Sequence, residues 1–277
     1  MPLLPLPLPS VSGVFAISEA QVDTFFDVFA DCKFPRDRVV VSPNGIDTEV
    51  FRHQDVTRAA VLSSFKTTPY PDSPRPAVQV PAQFDHVVLF VGKFADWKRL
   101  DAMLRAHKVY HEALAAQGKS VCLLIVGSGS DEAKKEYQDM AHALQLQDCY
   151  FIGPQNHPTL ANLYSISDVG VFPSKNEPMG LVFIECMACG TPVIGADSGG
   201  PRDFVDSQVG VLVPETDDAQ AFSDGLAAAV TMSLREDWKA SKGKACVARA
   251  NEKYTLKRQC DNLLESAKGF PIRKQLD

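Results

Sequence analysis

Six short apolar runs punctuate this chain, each followed by a longer stretch of different period: HVVLFVG (86–92), VCLLIVG (121–127), CYFIG (149–153), DVGVFP (168–173), TPVIGA (191–196) and VGVLVP (209–214). A strand covered on both faces has no polar side to alternate with, so near-continuous apolar runs of this length predict strands of a parallel sheet. Between them, Leu100, Met103, Leu104 and His107 fall at i, i+3, i+4 and i+7, and Leu160, Leu163 and Tyr164 repeat part of that spacing. Strand and helix alternating in this way predict an α/β fold, a doubly wound parallel sheet with helices on both faces. Ligands of such sheets bind beyond the carboxyl ends of the strands. The loops opening at Gly92, Gly127, Gly153, Pro173 and Ala196 are therefore where chemistry is expected.

Composition removes several alternatives. With 277 residues, 45% hydrophobic and 22% charged, the chain is neither disordered nor fibrous, and it has material for one large domain or two small ones. A net charge of −6 forces no basic face, which argues against nucleic acid as a partner. No apolar run approaches the roughly 18 residues of a transmembrane helix. The start, MPLLPLPLPSVSG, has Pro at 2, 5, 7 and 9 and no basic residue. It lacks the features of a signal peptide and is expected to be a polyproline-like tail. Seven Cys is an odd number, and Cys122 and Cys149 sit in apolar runs, so free thiols and a cytoplasmic location are expected.

Upstream of the main pattern, residues 13–51 hold two short apolar runs, VFAIS and VVVSPNGI, around an amphipathic stretch over 19–30. Residues 52–83 are polar and proline-rich without period, which predicts a linker or surface insertion. After Pro214 the pattern is helical over 217–232, 234–250 and 256–267.

The most informative stretch is SKNEPMGLVFIECMACGTPVIGADSGGPRDFV (174–205). Glu177 falls in the loop after a strand, and Glu185, eight positions on, falls inside the following helix. Backbone N–H groups of Met179, Gly180, Leu181 and Val182 at that helix start, with the helix dipole, favour an anion, while a loop carboxylate accepts hydrogen bonds from sugar hydroxyls. That combination suits a phosphorylated sugar. Glu185 can accept two hydrogen bonds from vicinal hydroxyls such as those of a ribose. The plainer alternatives are a helix cap or solvated acid for Glu177, and a structural cation partner for Glu185.

Glu-x7-Glu ahead of GTPVI and a Gly-Gly helix start resembles the donor-binding, Rossmann-like domain of the retaining GT-B glycosyltransferases, glycosyltransferase family 4 (group 1). PNGID (43–47), GKFADWK (92–98), LLIVGSG, FIGPQ and LANLYSISDVGVFPS fall in that family's order, and the match runs roughly from Val11 to Val230. The resemblance implies transfer of a hexose from a nucleoside-diphosphate sugar, UDP- or GDP-linked, with retention of configuration. It implies that Glu177 contacts the transferred sugar, that Glu185 holds the ribose, and that Lys93 and Lys98 grip the diphosphate. Two cations after a strand can neutralise charge developing on a departing diphosphate, which agrees with that role. The family more often has Arg at the position of Lys93, and Lys lacks the bidentate fork. No Asp-x-Asp occurs, which fits the metal-independent site that the resemblance implies. The loops at Gly127–Gly129 and at Gly153, Pro154 and Gln155 are expected to approach the nucleotide.

An intact enzyme of this kind needs two facing domains of some 150 residues each, whereas 42 residues precede Pro43. The expected organisation is therefore a proline-rich start and remnant of an acceptor domain (1–42), a connecting segment and linker (43–83), the donor-binding domain (84–232) and C-terminal helices (233–277). An exposed remnant carrying Val14, Phe15, Phe25 and Phe26 would offer an apolar surface to a partner chain or a second copy. Cys186-x-x-Cys189 has no second pair at zinc spacing, and His107 and His111 do not form H-E-x-x-H, so neither predicts a metal site. His157 and Trp97 are expected to be structural or surface residues.

Overall fold

The computed structural model describes residues 11–270. The prolines at 2, 5, 7 and 9 and the end of the basic tail lie outside the described residues. The front segment forms β1 (Val14–Ala16), α1 (Glu19–Val28) and β2 (Val39–Val41), with β1 and β2 paired in parallel. A short helix, α2 (Arg58–Leu62), follows. The main domain is β3 (His86–Val91), α3 (Leu100–Ala115), β4 (Val121–Val126), α4 (Asp131–Ala143), β5 (Cys149–Gly153), α5 (His157–Ile166), β6 (Val169–Phe172), α6 (Leu181–Ala188), β7 (Val193–Ala196) and β8 (Gly210–Val213). Three helices close the chain: α7 (Ala219–Arg235), α8 (Trp238–Lys253) and α9 (Leu256–Lys268).

The six strands β3 to β8 form one parallel sheet in the order β5-β4-β3-β6-β7-β8. All six apolar runs are strands, as their lack of alternation requires, and successive residues feed opposite cores. Val87, Leu89 and Val91 of β3 face the side carrying α5, α6 and α8, while Val88 and Phe90 face α3, α4 and α7. Every residue of β4 is buried, each aliphatic one contributing about 1.5–3 kcal/mol relative to exposure.

The order reverses direction between β3 and β6, and that seam opens toward the carboxyl ends. Pairing stops at Leu89 with Gly170, although β3 continues to Val91 and β6 to Phe172. The gap so formed is the crevice in which doubly wound folds hold ligands.

Two expectations give way. The segment over 52–83 is packed rather than linking: Leu62 and Val80 lie in the core beside Phe51, and Thr68 donates its backbone N–H to the Phe151 carbonyl at 2.8 Å. Its apolar residues are too sparse to show a period, yet they cover the β5 edge. The domain end expected at 232 falls inside α7, which runs on to Arg235. The break comes at Asp237, which adopts a left-handed conformation (φ 44°) and caps the N–H of Ala240. α8 then packs against α6, so α7 and α8 complete the core instead of extending from it. No helix among the described residues is long and apolar enough to cross a membrane.

Candidate functional site

At the crevice the β3–α3 and β6–α6 loops meet. A single-turn helix over Asp96–Lys98 turns Lys98 inward, and its ammonium forms an ion pair with Glu177 at 2.5 Å. Both side chains are largely withdrawn from water, at 12% and 11% exposure. Trp97 supports the pair twice: its ring lies 4.1 Å beneath the Lys98 ammonium, and its carbonyl accepts the Lys175 N–H at 2.7 Å. Trp97 was expected to be a structural or surface residue, and it is partly both, 45% exposed; its contact to the ammonium through the ring face leaves no trace in spacing.

Glu177 is held from behind by the loop after β7. The Gly200 N–H donates to the Glu177 carbonyl at 2.8 Å, and Ser198 accepts the Asn176 N–H at 2.8 Å. Gly199 has φ 67° and ψ −150°, and a Cβ there would lie 2.3 Å from the Glu177 carbonyl oxygen. Only glycine fits that approach, which gives the Gly-Gly of the motif its physical reason. From the front segment, Ser18 donates its hydroxyl to the Pro178 carbonyl at 2.6 Å.

Helix α6 is entered through Gly180, which is in a left-handed conformation and leaves the first turn without a side-chain cap. Leu181 is exposed there and Val182 half-buried. Met179 is buried, and its sulfur accepts the Asn44 N–H at 3.1 Å, so its side chain ties the PNGID stretch to the helix start.

One turn further, Glu185 accepts a hydrogen bond from the Tyr164 hydroxyl at 3.0 Å. Burial holds the Glu185 carboxyl above its ordinary pKa, partly countered by that hydrogen bond and by the nearby charge of His157. A carboxylate kept in such surroundings at a cost is a functional-site signature. Tyr164 was legible only as a core residue of α5; its hydroxyl is the part that sequence reasoning missed.

A cavity of about 510 Å³ adjoins the carboxyl ends of β3, β4 and β5. Gly92, Lys93, Gly127, Gly129 and Pro154 line it, with Gln155. Gly127 leaves no room for a side chain, since a Cβ would stand 1.8 Å from the Gly92 carbonyl oxygen. The Gly153 carbonyl accepts the Gly127 N–H at 3.2 Å and sets the two loops side by side. Lys93 is exposed on this wall, whereas Lys98, Glu177, Met179, Gly180, Leu181, Val182 and Glu185 do not line it. The predicted residues thus form a glycine-walled cavity with one lysine, and a separate carboxylate–lysine centre at the seam.

Cys186 and Cys189 are buried and unpaired, and burial pushes the Cys189 thiol up to about 12, which suits packing rather than metal binding or redox chemistry. Among the described residues no cluster of three or more His, Cys, Asp or Glu side chains could hold a metal ion.

The family model for glycosyl transferases group 1 matches residues 77–244. The chain is 34% identical over 230 residues to the D-inositol 3-phosphate glycosyltransferase of Saccharomonospora viridis, covering 81% of this chain and 48% of that one. Against the enzyme of the same name from Mycobacteroides abscessus it is 40% identical over 136 residues, covering 47% and 29%. The chain spans about half the length of the curated relatives it matches over most of its own length. Among solved structures, sucrose-phosphate synthase from Thermosynechococcus elongatus superposes with a TM-score of 0.73 at 25% identity, over 95% of this chain and 59% of that one. Anabaena HepE, solved in complex with UDP and glucose, superposes with a TM-score of 0.72 at 20% identity, over 94% and 64%, a likeness of fold alone. By the family match over most of the main domain and the identity to these relatives, the chain belongs to the glycosyl transferases group 1 family.

Proposed function

We propose that this chain carries the donor-binding half of a glycosyltransferase that takes a hexose from a nucleoside-diphosphate sugar with retention of configuration. The observation that carries the reading is the meeting of Lys98 and Glu177 at the seam between β3 and β6, beside a cavity walled by glycines and Lys93. In this reading the base enters the cavity and the ribose reaches out of it toward α6, where Glu185, prepared by Tyr164, accepts its hydroxyls. The diphosphate lies toward Lys93, Lys98 and the uncapped start of α6. As the bond from the anomeric carbon to the phosphate oxygen breaks, the two lysines neutralise the charge arriving on the leaving group. Glu177 orients the sugar through its hydroxyls and is not a general base. The charge is balanced by side chains and helix dipole, so the reading requires no metal. The UDP in the HepE structure favours uridine as the first base to try.

The chain incubated with UDP-glucose and GDP-mannose, followed by proton NMR, is expected to release sugar slowly, with the α anomer appearing first. Release of the β anomer first would refute retention, and no turnover combined with no nucleotide binding would refute the reading as a whole.

A second reading is favoured by the front segment, whose Phe15 is 38% and Val28 66% exposed beside a groove of about 370 Å³ lined with Phe25 and Phe29. An apolar face of this kind fits a module that works with a partner chain or a second copy. Sedimentation over a range of concentrations is expected to show association that a Phe15→Ser, Val28→Ser variant loses; a monomer at every concentration removes the self-association form of this reading.

A further inference from the structure

We propose that the Lys98–Glu177 ion pair makes the site discriminate between the complete nucleotide sugar and the nucleoside diphosphate left after transfer, an inference that rests on the donor-site reading above. In the free protein the charge meant for the diphosphate is already committed. Lys98 is bound to Glu177 at 2.5 Å with its ammonium over Trp97, and the pair is nearly out of water. The Glu177 backbone is fixed by Gly200 and the close approach of Gly199, so the residue stays at the seam if the lysine moves.

A diphosphate recruiting Lys98 therefore leaves Glu177 buried, unpaired and facing an anion. It suffers from lost solvation and from like-charge repulsion together. A nucleotide sugar reaches the same phosphates but also brings vicinal hydroxyls, which donate to Glu177 as the lysine departs. The sugar thus offsets the loss of the pair; the bare diphosphate does not. Once the sugar has been transferred, the carboxylate loses those donors, the pair reforms and the product is expelled. The pair acts as a selector for the loaded donor and as an aid to product release. The two residues stand 79 positions apart in the chain, so the sequence carries no sign of the contact.

The test is calorimetric titration of the full chain with UDP, GDP and ADP, and with UDP-glucose, GDP-mannose and ADP-glucose, on the wild type, Glu177→Gln and Glu185→Ala. The wild type is expected to bind one nucleotide sugar at least about tenfold more tightly than its nucleoside diphosphate, given the large effect of unpairing a buried charge. In Glu177→Gln, affinity for the bare diphosphate should rise about tenfold, and the preference for the sugar form should shrink by a similar factor. Equal wild-type affinities for the two forms would overturn the inference even if the variant did not fold. So would unchanged or weaker diphosphate binding by a folded Glu177→Gln. Failure of the donor-site reading looks different: no series binds the wild type, or Glu185→Ala binds as well as the wild type does.

Discussion

Replacing Glu185 by Gln is expected to stabilise the ligand-free protein near neutral pH while weakening its hold on nucleotide. The structure supplies the sign. Burial raises the Glu185 pKa in the folded state above the ordinary carboxyl value of 4.5, against smaller opposing contributions from Tyr164 and His157. A group that binds its proton more tightly when folded makes the fold more stable below its unfolded pKa, and that advantage is lost as pH rises through the folded pKa. At pH 7 the wild type therefore carries the full cost of an ionised, poorly solvated carboxylate. The amide carries none, and its carbonyl can still accept the Tyr164 hydroxyl. Each pKa unit of elevation corresponds to about 1.4 kcal/mol, and for a domain of this size each kcal/mol moves the melting temperature by about 2–4 °C. Melts of both proteins at pH 7.5, 6, 5 and 4 read this directly. The variant should melt higher at pH 7.5, and the gap should close toward pH 4, where the wild-type carboxyl is protonated in both states. A lower melting temperature for Glu185→Gln at pH 7.5, or a gap that ignores pH, would refute the reasoning.

Other perturbations have equally definite directions. Tyr164→Phe removes the hydroxyl that donates to Glu185 and should cost about 1–3 kcal/mol at neutral pH, a loss that shrinks in acid because the protonated carboxyl needs the hydroxyl less; paired melts at pH 7.5 and 4 check it. Gly199→Ala forces a Cβ against the Glu177 carbonyl oxygen and should cost roughly 2–4 kcal/mol in urea unfolding, with nucleotide-sugar binding weakened even under conditions where the variant is fully folded. His107 is buried between the Tyr110 hydroxyl and the Gln147 carbonyl, and burial lowers its pKa to about 4. Its neutral form is favoured in the fold, so stability present above pH 6.5 should fall by about 3 kcal/mol as pH drops toward 4. His107→Gln should flatten that part of the stability profile.

Much of the sheet was legible because parallel strands covered on both faces leave runs such as VCLLIVG, and nothing tertiary is needed to see them. The loops that bear the candidate site follow from the same logic; Glu177 stood out there by its place just before a helix start, whereas Lys98 was singled out through the family resemblance. What sequence could not give was their pairing, a contact between residues far apart in the chain whose alternative as separate solvated charges has the same spacing. The segment over 52–83 was misread for a related reason: its buried residues, Val61 and Leu62 on a short helix against α5, Tyr70 against α4 and Val80, are scattered among prolines and polar residues, and only their tertiary partners explain them. The α7–α8 junction lacks Gly or Pro, the usual punctuation, and turns instead on a left-handed Asp237. Tyr164 and Trp97 show the remaining gap, since periodicity assigns a residue to a face but says nothing about what a hydroxyl or ring face touches.

The central claim is that this chain holds a nucleoside-diphosphate sugar at the β3–β6 seam. Thermal stabilisation of the purified chain by UDP, GDP and ADP and their hexose conjugates, with Glu185→Ala alongside, tests it most directly. One base series at about 100 times its dissociation constant should stabilise the wild type by about 2.7 kcal/mol, with the sugar form ahead of the diphosphate, and Glu185→Ala should lose most of the effect. A folded wild-type chain whose melting temperature responds to none of these compounds, or a Glu185→Ala variant that responds as fully as the wild type, would contradict the account.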